Sequence, residues 1–396
     1  MLKTLRNSIL NEKEAIRIPK SVQASIPIEK IYDDGTWKVN NNYSRTWLFT
    51  DINFAVASED DKRVILLQYC SFLNSLPTDA TIKITINNRK LNLKEFRRKL
   101  MLTSKKDNLD DYRAEYNRML QDKAAATQNM TQEKYITVSI HKKTIEEARA
   151  AFIRIEADLT ANLSRLSSTV IPMGNIQRLK LLHDFFRPSD KQEINIDLKQ
   201  IMRHGHNFKD SICPDSIMFQ SDHFEIDEKV GRVLFMKEYA AFIDDGMIAK
   251  LTDISKNMML SIDILPIPTE EALKEIQNKI LAVETDITRW QRKQNENYNF
   301  SAIIPYEMRQ MREEAEEFLD DITTKDERMM FALVIIVHTA DDIDQLNADT
   351  ESFISMVKSK FSNLAILRWQ QEDGLNTVLP YGLRRIHALR TLNTGS

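Results

Sequence analysis

The chain has 396 residues, with 55 basic and 58 acidic side chains and a formal charge of −3 at pH 7. This near-balance argues against a dedicated nucleic-acid or polyanion binder, although it leaves room for a local basic patch. The two cysteines stand far apart and outside any CxxC motif, which excludes a disulfide scaffold and a zinc ribbon and favours a reducing compartment. The longest apolar run, Met329 to Val337, is far shorter than the roughly 20 residues of a membrane-spanning helix. The N-terminus has no apolar core of the kind that signal peptides contain.

Hydrophobic periodicity predicts alternating strands and helices along the chain. A polar arm (1–24) precedes a first half with predicted strands at 25–32, 36–40, 45–50, 80–87, 134–141 and 168–172 and helices at 60–76, 93–127 and 144–166. The second half has predicted strands at 216–219, 230–239, 257–267, 329–338 and 364–369 and helices at 244–254, 269–294, 305–323 and 342–361. In strand 80–87 three isoleucines alternate with polar residues, which predicts a half-buried strand. From residue 370 onward we predict a loop that leads into a basic segment, with no further strand or helix.

Each half reads as strand, helix, strand, helical insert, strand, helix, strand. Without the insert this order is βαββαβ, the ferredoxin-like split βαβ pattern. A local echo supports a duplication, because 139–149 and 336–346 both end a strand at a histidine and enter an acidic helix start. The alternative is that any βα unit has this capping chemistry. We therefore expect an α+β chain of two ferredoxin-like repeats, 25–174 with the insert 93–127 and 213–396 with the insert 269–325, joined by a linker at 175–212.

Recognisable catalytic motifs are missing from the sequence. None of the eight glycines opens a P-loop, GxxxxGK followed by Ser or Thr, whose backbone amides and lysine hold the phosphates of a nucleotide. The dinucleotide-binding GxGxxG, the nucleophile elbow GxSxG and the zinc motif HExxH are also absent. We predict no catalytic residue, no bound cofactor and no P-loop domain in this chain.

Four potential zinc ligands fall within 20 residues: His204, His206, Cys213 and His223. Zinc takes four nitrogen or sulfur ligands, so the set is chemically sufficient. Its spacing matches no common zinc site, however, and surface histidines are the favoured interpretation, with a metalloenzyme kept as a rival. His141 and His338, at strand ends, are interpreted as histidines at the edge of a core rather than as bases.

A basic cluster is the strongest candidate for a contact surface. It contains eight cations and a single acidic residue, Glu95: Arg89, Lys90, Lys94, Arg97, Arg98, Lys99, Lys105 and Lys106. The simplest interpretation is a solvated helix face. The cluster could instead contact an anionic membrane leaflet or phosphates, although base stacking is disfavoured because Phe96 is its one aromatic residue. An acidic helix at 313–321 carries the opposite charge, so the two patches could meet between subunits.

Long stretches of the sequence resemble the VirB-type conjugative ATPases (the CagE/TrbE/VirB family) of Gram-positive mobile elements. The resemblance rests on 17–62, 108–120, 132–150, 231–243, 257–272, 283–308, 317–341 and 370–382, in that order. It implies a protein at the cytoplasmic face of a type IV secretion system, which moves DNA and protein between cells. The family has an N-terminal assembly region followed by a RecA-like motor that uses ATP and Mg²⁺. This chain ends before any Walker A motif, so no nucleotide-binding residue is carried over.

The resemblance therefore predicts an N-terminal docking domain cut from a longer ATPase, peripheral at the inner face of the membrane. Its expected partners are inner-membrane secretion subunits and other copies of itself, and the expected contact surfaces are the two inserts. The alternative is a stand-alone module of a mobile element that binds nucleic acid or a membrane surface. The sequence leaves DNA contact undecided.

Overall fold

The computed structural model describes residues 21–52, 54, 57–90, 101–126, 130–188, 196–239, 246–296, 304–325, 327–360 and 362–394. The strands are β1 (Ile28–Ile31), β2 (Trp37–Val39), β3 (Asn42–Phe49), β4 (Ala80–Lys90), β5 (Met130–His141), β6 (Val170–Pro172), β7 (Ile217–Phe219), β8 (Phe224–Ile226), β9 (Lys229–Glu238), β10 (Met258–Pro266), β11 (Met329–Ala340), β12 (Asn363–Ile366) and β13 (Arg390–Asn393). The helices are α1 (Val22–Ser25), α2 (Glu59–Asn74), α3 (Asp110–Ala126), α4 (Ile145–Arg165), α5 (Asn175–Phe186), α6 (Leu198–Arg203), α7 (Gly246–Thr252), α8 (Thr269–Glu296), α9 (Tyr306–Thr324), α10 (Ile343–Lys358) and α11 (Gln371–Val378), with a 3₁₀ turn at Phe208–Ser211.

The strands form one open antiparallel sheet, which confirms the mixed α+β class. Its main path is β1-β2-β3-β5-β4-β10-β11-β9-β8-β7, with β6 added to β3, β12 to β9 and β13 to β11. Within the first half the strand order is β6-β3-β5-β4, and within the second it is β12-β9-β11-β10. The two orders are equivalent. In each half, the second long strand in chain order (β4 or β10) lies at one end, and the short last strand (β6 or β12) lies at the other.

The two halves meet along β4 and β10, which pair antiparallel with Ile82 opposite Ile264 and Asn88 opposite Met258. We call this strand pair the seam. Because its strands run in opposite directions, the chain leaves β4 at one end of the sheet and β10 at the other. The two inserts therefore start from opposite ends of the seam.

Side chains alternate between two cores along the central strands, as the period of two in a strand requires. On one face, the isoleucines of β4 and β5 pack with α2 and α4, and Leu234, Leu260 and Ile336 pack with α7 and α10. On the other face, Leu333, Ile335 and Val337 of β11 join a third cluster. Burial on both faces explains why β11 is an almost unbroken apolar run.

The second face is covered by segments that the repeat pattern does not contain. Helix α5 contributes Leu179, Leu182 and Phe186, and α11 with the chain after it contributes residues from Leu375 to Ile386. Arg178 ties these segments together: its guanidinium lies 3.8 Å from the ring centroid of Trp37 and donates to the backbone oxygens of Gly35, Ser44 and Pro380. The sheet is therefore sandwiched between two layers.

Several predicted boundaries are wrong. Residues 101–109, within the predicted helix 93–127, are not helical, and 93–100 lie outside the described residues. The helix begins at Asp110, whose carboxylate accepts from the backbone N–H groups of Lys105 and Lys106 and so favours a turn before it. The predicted C-terminal loop contains α11, and β13 closes the chain against β11.

Two other predicted segments contain structure that the sequence analysis leaves out. The predicted linker 175–212 holds α5, α6 and the 3₁₀ turn. Of the predicted arm 1–24, residues 1–20 lie outside the described residues, and α1 begins at Val22 with Ser21 as its N-cap.

Candidate functional site

Four of the eight predicted contact cations fall in the described part of the chain: Arg89 and Lys90 end β4, and Lys105 and Lys106 precede α3, whereas Lys94, Arg97, Arg98 and Lys99 lie outside the described residues. The Arg89 guanidinium lies 3.3 Å from Glu133 and 3.4 Å from Asp184. Burial opposes its charge, but these two carboxylates raise the pKa of Arg89 overall. Arg89 therefore takes part in internal ion pairs, whereas Lys105 and Lys106 are exposed.

The four candidate zinc ligands lie in different surroundings. His204 and His206 are exposed after α6, whereas Cys213 is buried in the core, where burial raises the pKa of its thiol to about 11. The Nδ1 atom of His223 lies 2.8 Å from a carboxylate oxygen of Asp222. Among the described residues, which include all four, no three His, Cys, Asp or Glu side chains stand close enough to hold a metal ion.

A buried ion pair crosses the seam. Lys83 of β4 and Asp263 of β10 are directly opposite, with 2.5 Å between Nζ and Oδ1, and both are fully buried. Lys83 also donates to the backbone oxygen of Thr377 in α11. Burial lowers the pKa of Lys83 and raises the pKa of Asp263, and each charge counteracts the effect of burial on the other. The nearby guanidinium of Arg384, itself mostly buried, further favours the carboxylate form of Asp263.

Sequence reasoning missed this pair because it interprets Lys83 as facing solvent. In β4 the polar residues Lys83, Thr85 and Asn87 alternate with isoleucines, the pattern of a half-buried strand. The structure instead buries both faces, since α11 covers the polar one. The aspartate within strand 258–266, whose only other polar side chain is Ser261, is the signal that could have identified the site.

A second buried polar group lies in the second half, beneath α10. The Nε2 atom of His338 is 3.1 Å from the hydroxyl of Thr350, and its ring centroid is 5.1 Å from that of Phe353. Burial, with the nearby charges of Arg232 and Lys256, lowers the pKa of His338 to about 3. His338 is therefore a neutral core histidine, whereas His141 is exposed.

A cleft of about 200 Å³ opens at one end of the seam. Three carboxamides line it (Asn87, Asn88 and Asn257), together with the cations Arg89, Arg187 and Lys229 and the carboxylates Asp184 and Asp341. The cations are already neutralised: Arg187 lies 2.9 Å from Asp215, and Lys229 pairs with Asp341. The lining thus offers no unpaired charge for a ligand.

Helix α2 presents apolar side chains to solvent. It buries only Phe72 and Leu73, whereas four large apolar residues are exposed by 38–69%: Val64, Leu66, Leu67 and Tyr69. We call these four residues the docking face. At about 100° per residue they spread over more than half of the helix circumference, as two pairs, Val64 with Leu67 and Leu66 with Tyr69. Large exposed apolar patches are typical of protein–protein contact surfaces.

The first insert carries a similar stripe. On and just before α3, Leu109, Tyr112, Tyr116 and Met119 are exposed by 44–69%. Their spacing of three and four residues places them along one side of a helix. Asn117 fixes the loop before the helix by donating to, and accepting from, the backbone of Leu102.

Comparison with family models and with curated proteins finds no match for this sequence. In the described part of the chain, every helix is too short or too polar to cross a lipid bilayer.

Proposed function

We propose that this chain is a non-catalytic assembly module, the N-terminal docking region of a conjugative transfer ATPase of the VirB type. The observation that carries the proposal is the docking face, because a helix that leaves three of its large aliphatic residues more than half exposed is built to be covered by another protein. The occupant we propose is an apolar segment of an inner-membrane type IV secretion subunit. ATP and Mg²⁺ would act in a motor domain encoded downstream, with no role for the residues described here.

Within this proposal the two halves are ferredoxin-like repeats. Three observations support it: the order of helices and strands, the equivalent strand orders β6-β3-β5-β4 and β12-β9-β11-β10, and the helices α2, α4, α7 and α10 on one face. The seam joins the second strand of one repeat to the second strand of the other. The repeats would form a rigid platform from whose opposite ends the inserts extend to neighbouring proteins, other copies of this chain included.

The test is co-purification from detergent. The chain would be co-expressed with the inner-membrane proteins encoded by the same mobile element, and their retention would be measured for the wild type and for the double variant Leu66→Ser/Leu67→Ser. Burial of a leucine contributes about 1.5–3 kcal/mol, so loss of both should weaken binding by at least about a hundredfold. The control is Ile153→Ser/Ile176→Ser, which removes two equally exposed isoleucines from other helices.

Retention of the partner by wild type and control, with loss in the docking-face variant, is the expected result. Equal retention by all three proteins would exclude the docking face, and no retention by wild type would exclude a secretion subunit as the occupant. The family assignment has its own test, because it predicts a P-loop motif, placed between a strand and a helix, in the reading frame beyond codon 396.

A further inference from the structure

Helices α8 and α9 form a long antiparallel hairpin. The 28 residues of α8 give it a length of about 42 Å. Its buried residues form one stripe (Ala272, Ile276, Val283 and Ile287) at coiled-coil spacing. Arg312 of α9 lies 3.4 Å from Glu284 of α8, so the two helices remain in contact far from the sheet. A single stripe means that each helix has one partner and that its other sides face solvent.

Among the described residues, the hairpin packs against the sheet at one end. There Ile276 and Ile322 pack in one cluster with Ile267 and Met329, which lie at the end of β10 and the start of β11. We call this end the root. The other end, formed by residues 289–296 of α8 and 306–312 of α9, is the tip.

Charge is separated along the hairpin. The tip carries five cations (Arg289, Arg292, Lys293, Arg309 and Arg312) and two carboxylates, Glu296 and Glu307, for a net charge of +3. Below it, α9 carries six carboxylates between 313 and 321 and no cation. A positive end beyond a strongly negative shaft therefore faces away from the sheet.

The tip also exposes large amphipathic side chains. Tyr306 is 68% exposed and Met311 52% exposed, and the side chain of Arg289 is 77% exposed. The guanidinium of Arg309 lies 5.6 Å from the ring centroid of Tyr306. Across the described residues, no carboxylate pairs with Arg292 or Lys293. The other three tip cations, Arg289, Arg309 and Arg312, form exposed ion pairs within the hairpin. Aromatic rings beside cations are typical of segments that sit in the headgroup layer of a membrane.

We propose that the hairpin tip binds the surface of an anionic lipid membrane end-on. A planar anionic surface can approach the end of the hairpin at which the cations lie while the acidic shaft stays away from it. An extended nucleic acid would need a groove lined by cations, and along this hairpin it would meet the carboxylates of α9 instead. The inference rests on the hairpin alone and does not depend on the ATPase assignment.

The test is sedimentation of the full chain with phosphatidylcholine vesicles, with and without phosphatidylglycerol. The tip variant is Arg289→Gln/Arg292→Gln/Lys293→Gln. At about 1 kcal/mol for each cation near the surface, the variant should bind anionic vesicles about a hundredfold more weakly. The matched control, Lys274→Gln/Lys279→Gln/Lys358→Gln, removes three exposed cations from the root and from α10 and should bind as the wild type does.

A second variant, Tyr306→Ser, separates insertion of the ring from charge attraction and should weaken binding while leaving its salt dependence unchanged. Far-ultraviolet circular dichroism checks that each variant is folded. The proposal is overturned if wild type does not sediment with anionic vesicles, or if the control loses as much binding as the tip variant. Binding of a single-stranded oligonucleotide that depends on the tip, without vesicle binding, would assign the tip to nucleic acid instead.

Discussion

The ion pair across the seam leads to the sharpest prediction about stability. Replacing Asp263 with Asn keeps the shape of the side chain but leaves the charge of Lys83 buried without its counter-ion. Removing one partner of a buried pair costs about 3–5 kcal/mol. The upper end of this range has an independent physical basis. If Lys83 loses its proton in order to be buried without a counter-ion, deprotonating a lysine of pKa about 10.4 at pH 7 costs about 4.6 kcal/mol.

The buried Lys83 charge also makes the stability of the variant depend on pH. If the variant folds by deprotonating Lys83, its penalty falls as the pH rises, by up to about 1.4 kcal/mol per pH unit, because the unfolded lysine then gives up its proton more readily. Replacing both partners, Lys83→Met/Asp263→Leu, should restore most of the stability, since a buried pair is rarely better than well-packed apolar residues.

Urea unfolding followed by tryptophan fluorescence measures these differences, because Trp37 and Trp47 are fully buried. The control is Asp79→Asn, which breaks a 2.7 Å pair with Lys142 at the surface and should cost less than about 1 kcal/mol. A penalty for Asp263→Asn as small as that of the control would refute the reasoning, as would a penalty that grows with pH.

Three further predictions use the same unfolding assay. Gly382→Ala should lower the free energy of unfolding by about 2–5 kcal/mol, because a Cβ there would lie 2.8 Å from the Cβ of Ser44 and the residue has a φ of +80°. The control is Gly205→Ala, where φ is +73° but the Cβ would meet open space, and it should cost only about 1–2 kcal/mol. His338 is neutral in the fold and titrates near 6.5 when unfolded, so its contribution is fully present above pH 6.5 and is lost as the pH falls toward 3, at up to about 1.4 kcal/mol per unit. His338→Gln should flatten that dependence, and an unchanged slope would contradict it. Arg178→Lys should cost about 3 kcal/mol, since an ammonium cannot donate to three separated carbonyls and stack on a ring, and a loss below about 1 kcal/mol would show that those contacts are dispensable.

Local pattern was sufficient to predict the repeated elements. Strand 329–338 is a continuous apolar run, and the helix that follows Thr144 has a capping box in the sequence. Both lie where expected, with Thr144 accepting from the N–H of Glu147. The order of elements in the two halves was also predicted, because it follows from these segments alone.

The features that could not be predicted from the sequence depend on contacts between distant segments of the chain. The second face of the sheet is covered by α5 and α11. In α5 the residues Leu179, Leu182 and Phe186 have helical spacing but fall in the segment predicted as a linker, whereas α11 has no clear helical signal in the sequence. Gly374 lies inside α11, where a helix is normally weakened by glycine, but a Cβ there would lie 2.6 Å from the side chain of Leu367. Close packing against the sheet, rather than helix propensity, therefore determines this element. The exposed docking face was equally hidden, because the helical spacing of Val64 and Leu67 predicts an inward apolar stripe, whereas the structure leaves both side chains more than half exposed.

The charges at the seam favour one register of β4 against β10. The polar residues of β4 and β10 recur with a period of two, so a slip of their pairing by one residue would turn the apolar set of one strand toward the polar face. A slip by one residue would place Lys83 opposite Ile262 or Ile264 and leave Asp263 among isoleucines, with both charges buried and unpaired. The correct register is thus favoured by several kcal/mol, even where the pair adds little to the overall free energy of unfolding. Since Lys83 also donates to the backbone oxygen of Thr377, docking of α11 and pairing of the two halves in this register stabilise each other.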